Sequence, residues 1–97
     1  MANSIIFNPA VRRQVRPLPE RLKEQLRQRI ALLADDPYGS GTKALSANLR
    51  GLWRLRVGDH RVIYHVDETD DVVTIMRVGH RSHVYDDMAR MDLASLD

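Results

Sequence analysis

Three arginines, Arg54, Arg56 and Arg61, flank the dipeptide Gly58-Asp59 within an apolar stretch. A two-residue hairpin loop at Gly58-Asp59 pairs Val57 with His60, Arg56 with Arg61, Leu55 with Val62, Arg54 with Ile63 and Trp53 with Tyr64. Side chains alternate along a strand, so Trp53, Leu55, Val57, Val62 and Tyr64 share one face and Arg54, Arg56 and Arg61 share the other. Like charges directly opposite one another destabilise a sheet. The three guanidiniums therefore need either a carboxylate, for which Asp59 and Asp67 are the nearby choices, or an anion supplied from outside. The planar guanidinium fork suits phosphate, and a row of forks along two strands fits a polyanion backbone better than one small ligand.

A second group of reactive side chains lies in Val78-Gly79-His80-Arg81-Ser82-His83-Val84-Tyr85, which holds two imidazoles, a guanidinium and a phenol within six residues. Imidazole titrates nearest neutrality of all side chains and is the natural proton shuttle. His80 and His83 could also begin a metal site, but no third ligand is evident and the surroundings are cationic. They could equally be surface polar residues beside a strand end. His60 and His65 read as strand surface residues, with His60 close to the arginines.

These residues need a sheet to position them. Leu52–Val57, His60–Asp67 and Val72–Val78 read as three consecutive strands joined by Gly58-Asp59 and by Glu68–Asp71, an antiparallel meander. Ser4–Phe7 is a further short strand. Asn8-Pro9 is a helix start, with Asn at the N-cap and Pro in the first helical position. Pro19 is expected to open a second helix in the same way. In that helix Leu22, Leu26, Ile30 and Leu33 form one apolar stripe, which ends near Ala34 before Asp35-Asp36-Pro37. Pro37–Ser46 reads as a loop, and Ala89–Leu96 as a short terminal helix or a frayed tail. The expected fold is α+β, β-α-α-β-β-β, with an antiparallel sheet packed against an N-terminal helical hairpin and one domain over residues 1–97.

The chain of 97 residues carries a formal net charge of +2, which conceals an asymmetry. Residues 1–61 hold twelve basic and five acidic side chains, whereas residues 62–97 hold three basic and eight acidic. A cationic half of this size points to an anionic partner, nucleic acid above all, unless folding mixes the two halves over one surface. The wet face of the helical hairpin is itself basic, with seven cations and two anions between Arg12 and Arg29. The absence of cysteine excludes a disulfide framework, a thiolate nucleophile and cysteine-bound zinc or iron–sulfur centres. No apolar run approaches the roughly 20 residues of a membrane span, and the first residues do not read as a secretory signal, so a cytoplasmic protein without membrane contact is expected.

The block Gly51–Tyr64, followed by Val78-Gly79-His80-Arg81 and Val84-Tyr85, resembles the RelE/ParE superfamily of bacterial type II toxin–antitoxin systems, and its RelE branch most closely. The Leu18-Pro19 hairpin, the Asp36-Pro37 helix end and the Lys43–Leu45 approach to the sheet fit the same pattern. The resemblance implies a toxin that enters the ribosomal A site and cleaves mRNA. The RNA 2′-hydroxyl attacks the adjacent phosphate with no metal or other cofactor. It also implies catalytic roles for Arg54, Arg56, Arg61, His80, Arg81 and Tyr85, with Lys43, Arg54, Arg56 and His83 binding substrate. The implied partners are a RelB-like antitoxin, the ribosome and mRNA, with operator DNA reached only through the antitoxin complex. Toxins of the RelE branch carry lysines where this chain has Arg54 and Arg56, and one such lysine is proposed as the general base. Arginine stays protonated and abstracts protons poorly. The base role then passes to His80 or His83, with His80 preferred beside Arg81, unless the activity is weak or absent. The alternatives are a ParE-like inhibitor of DNA gyrase and a basic RNA-binding module with no toxicity.

Overall fold

The computed structural model describes residues 2–86 and 88. The chain opens with β1 (Ser4–Phe7), α1 (Pro9–Val15) and α2 (Glu20–Leu32), followed by β2 (Thr42–Ala44) and a 3₁₀ turn at Ala47–Leu49. Three longer strands then follow, β3 (Leu52–Val57), β4 (His60–Asp67) and β5 (Val72–His80). The expected tail helix at Ala89–Leu96 lies outside the described residues.

Asn8 caps α1 as its residue type demands, its side-chain oxygen accepting from the Ala10 N–H at 3.0 Å. Pro19 sits one position earlier than expected. It is the N-cap of α2 in extended geometry and offers no side-chain bond, and Glu20 is the first helical residue. Glu20 and Glu24 are each bonded to a cation three residues on, Lys23 and Arg27.

All five strands form one sheet in the order β1-β5-β4-β3-β2. The β3–β4 register is the one read from the two-residue loop, from Val57 opposite His60 to Trp53 opposite Tyr64. Gly58 takes a φ of +59° at the first loop position, where a tight hairpin of this length needs glycine. Two features depart from the expected meander. β1 lies parallel to β5, with Ser4 opposite Val72 and Phe7 opposite Ile75, so the sheet is mostly rather than wholly antiparallel. The loop after α2 also contributes an extra edge strand, β2, paired with β3.

Burial divides at the sheet. On the helix side, Val11, Leu26, Ile30 and Leu33 close over Leu55, Val57, Val62, Tyr64, Val73, Ile75 and Val78, with Trp53 half-buried at the margin. Tyr64 is fully buried, and its hydroxyl donates to the Pro37 carbonyl, so the polar atom it carries into this core is satisfied. The other side carries Arg54, Arg56 and Arg61, as the alternation predicts. It also holds a second, smaller core of Leu52, Ile63, Met76, Val84 and Met88, with Tyr85 packed against it.

Candidate functional site

The sheet register decides which reactive side chains meet. Arg56 stands opposite Arg61, Arg54 opposite Ile63, and Lys43 on β2 opposite Arg54. Lys43, Arg54, Arg56 and Arg61 therefore share the face away from the helices, beside the second core that Tyr85 borders. The extra strand is what brings Lys43 there.

Among the described residues, none of Arg54, Arg56 and Arg61 makes an ion pair. Arg54 donates to the Gly41 carbonyl at 3.1 Å. Arg61 turns back to the hairpin and donates to the carbonyls of Gly58 and His60, each at 3.0 Å. Neither carboxylate considered from the sequence neutralises them. Asp67 accepts from the backbone N–H groups of Thr69 and Asp70 in the β4–β5 turn, and Asp59 lies 3.7 Å from Arg81.

After β5 the chain folds back over the cationic face. Arg81 donates its backbone N–H to Asp59 O at 2.8 Å, and the N–H groups of His83 and Val84 return to His80 O. This turn presses Val84 onto Gly79, where any Cβ would meet the Val84 Cγ2 at 3.1 Å. Glycine at that position is thus set by close approach.

The imidazoles gather at the hairpin end of the sheet. His60 pairs with His80 across β4 and β5, their rings 5.5 Å apart and edge to face, and the His83 ring stacks 5.8 Å from His80. Register places His60 and His80 on the side of Val57 and Val62, opposite the arginines. They reach the arginine site only around the sheet end, where the Arg61 guanidinium curls back and Arg81 emerges. His60, read from the sequence as a surface residue, is thus part of this cluster. Its pKa is lowered, first by burial and then by the neighbouring His80, so its neutral form is favoured. Among the described residues, no group of three or more His, Asp or Glu side chains is arranged to hold a metal ion.

A second surface feature lies on the opposite flank. The β1 edge, α1 and α2 bound an open groove of ≈ 1120 Å³, with Ile5, Phe7, Val11 and Leu26 on its walls and Arg12 and Arg27 among its cations. Ile6 and Phe7 are 52% and 55% exposed along that edge. Nothing local to these segments marks this groove, because it forms only when β1 takes the sheet edge.

Fold and site together define a small α+β protein whose sheet is covered by helices on one face, carries cations beside a second small core on the other, and gathers three imidazoles at its hairpin end. Residues 5–85 match the family model described as ParE toxin of type II toxin-antitoxin system, parDE. Toxin RelG of Mycobacterium tuberculosis is 30% identical over 86 residues, which span 88% of this chain and 98% of that protein. The crystal structure of the RelBE2 toxin–antitoxin complex from Mycobacterium tuberculosis superposes with a TM-score of 0.74 at 29% identity, covering 84% of this chain and 100% of that one. The archaeal RelE–RelB complex from Pyrococcus horikoshii gives 0.73 at 25% identity, covering 84% and 97%. The chain belongs to the RelE/ParE superfamily of toxins of type II toxin–antitoxin systems.

Proposed function

We propose that this toxin is a ribosome-dependent mRNA endoribonuclease that cuts in the A site through attack of the RNA 2′-hydroxyl on the adjacent phosphate. The observation that carries this reading is the pair Arg56–Arg61, flanked by Arg54 and Lys43 on one sheet face and without an ion pair among the described residues. Such a face lowers its own repulsion when a polyphosphate backbone lies on it. Arg61 and Arg81 hold the scissile phosphate and the charge that develops on it, while Arg54, Arg56 and Lys43 follow the backbone to either side. Tyr85, half-buried at the edge of the second core, orients an unpaired base by stacking. His80 supplies proton transfer that arginine cannot. Likeness to RelG and to the RelE-type chains supports the RelE branch.

The same likeness supports a RelB-like antitoxin as partner, since both solved relatives are toxin–antitoxin complexes. An acidic amphipathic segment of such a partner suits the groove along β1, with its apolar walls and its Arg12 and Arg27. Contact with operator DNA then runs through that partner.

The test is cleavage of mRNA on programmed ribosomes by purified protein, with Arg61→Ala and Arg81→Ala beside the wild type. Each substitution is expected to lose ~100-fold, the usual cost of removing one transition-state donor. Intact mRNA in the presence of folded wild-type protein would sink the reading. The ParE description of the matching family model keeps inhibition of DNA gyrase as a second reading. DNA damage on expression, with translation unaffected, is its signature.

A further inference from the structure

The turn that carries Arg81 also holds a hydroxyl between two imidazoles. Ser82 Oγ lies 2.8 Å from His80 Nδ1 and 3.1 Å from His83 Nδ1, and the Ser82 backbone N–H points to the same His80 nitrogen at 3.1 Å. A backbone N–H can only donate, so His80 Nδ1 accepts and the neutral ring carries its proton on Nε2. The Ser82 hydroxyl then donates to His80 Nδ1 and accepts from His83 Nδ1–H. This gives a continuous path from His83 through Ser82 to His80. His60 faces His80 from β4, and Asp59, Arg61 and Arg81 are the charged groups at the same end of the sheet.

We propose that Ser82 is a positioning residue that joins His80 and His83 into one proton-conducting unit, with His80 as proton donor to the leaving 5′-oxygen. The role of the unit in cleavage rests on the nuclease reading above; the bridge itself does not. In the step, His83 starts as imidazolium and gives its Nδ1 proton to the Ser82 oxygen. The hydroxyl proton passes to His80 Nδ1, and the His80 Nε2 proton goes to the 5′-oxygen as its bond to phosphorus breaks. One proton leaves the unit. His83 ends neutral, and His80 ends neutral with its proton on Nδ1. A nitrogen that already carries its proton has no lone pair free to accept another, and Nδ1 is taken up by Ser82, so the geometry points to His80 as acid rather than base.

The experiment has two arms. Nitrogen-15 NMR of the histidine rings in the free toxin reads the tautomer of His80, together with the change in its Nδ1 resonance when His83 is replaced by Gln. The expected result is an unprotonated Nδ1 on neutral His80, with a response to His83→Gln that disappears in the Ser82→Ala background. A protonated Nδ1, or an unchanged response in that background, overturns the bridge. In the second arm, Ser82→Ala is expected to slow mRNA cleavage ~10-fold, part of the gain usual for proton-transfer catalysis, and Ser82→Thr, which keeps the hydroxyl, to restore most of it. Wild-type cleavage by Ser82→Ala overturns the catalytic role while the bridge stands. Absence of cleavage by the wild type, with the NMR arm positive, instead removes the nuclease reading and the delivery step with it.

Discussion

Arg56 and Arg61 face each other across neighbouring strands, an arrangement that favours neither side chain until an anion arrives. Replacing Arg56 by Thr is therefore expected to stabilise the fold by about 0.2–1 kcal/mol while lowering the affinity for RNA. Urea denaturation read beside a binding titration checks both signs at once. Gly79 makes the opposite case. A methyl group there would press on Val84 down to its Cα at 3.4 Å, and β5 and the turn are both fixed by backbone hydrogen bonds. Gly79→Ala should cost about 1–3 kcal/mol of stability by overpacking and loosen the turn that carries Arg81 and His83. The arginine triad could be read from the sequence because a two-residue loop fixes cross-strand partners. The place of His60 beside His80 could not, since it depends on the β4–β5 register, which shifts at Ile63/Tyr64. Leu52 and Ile63 fall with the arginines under the same alternation, yet nothing local to β3 and β4 shows that Val84 and Met88 return to cover them.

Short elements depend heavily on their ends. α1 has seven residues and one side-chain cap, so Asn8→Ala should cost about 1 kcal/mol, measurable by thermal or urea unfolding. At Gly58 a Cβ would meet nothing within 4 Å, and its φ is +59°. Gly58→Ala should thus cost about 1–2 kcal/mol through backbone conformation alone and leave the register of β3 and β4 intact, as amide NMR would report. Both devices were legible because capping and tight-turn chemistry are local. β2 was not, since three residues between glycine- and serine-rich turns show no periodicity. The parallel pairing of β1 was equally hidden. No turn connects β1 to β5, and only the assembled helices and sheet choose that edge.

For the molecule as a whole, His60 and Tyr64 tie stability to pH in opposite directions. His60 is held below its ordinary 6.5, so the unfolded chain takes up its proton first as the solution is acidified. The stability it contributes is fully present above pH 6.5 and is lost as pH falls through the lowered value. Urea midpoints should drop in that range and drop less in His60→Gln. Tyr64 runs the other way. Burial raises its pKa to about 12, so its contribution is present below pH 10 and is lost as pH rises through about 12. The charge asymmetry along the chain was legible as a hint of an anionic partner, and the fold turns it into a particular face, although the basic residues of α1 and α2 line a different flank. The pairing of Ser4 with Val72 also sets a timetable. The sheet edge made first must wait for β5, the last described strand, and Arg81 and Tyr85 follow that strand in the chain. At roughly 5–20 residues per second, seconds of synthesis separate the two halves of that pairing. The face that Arg81 and Tyr85 border is therefore among the last parts of the described fold to be assembled, however early its helices form.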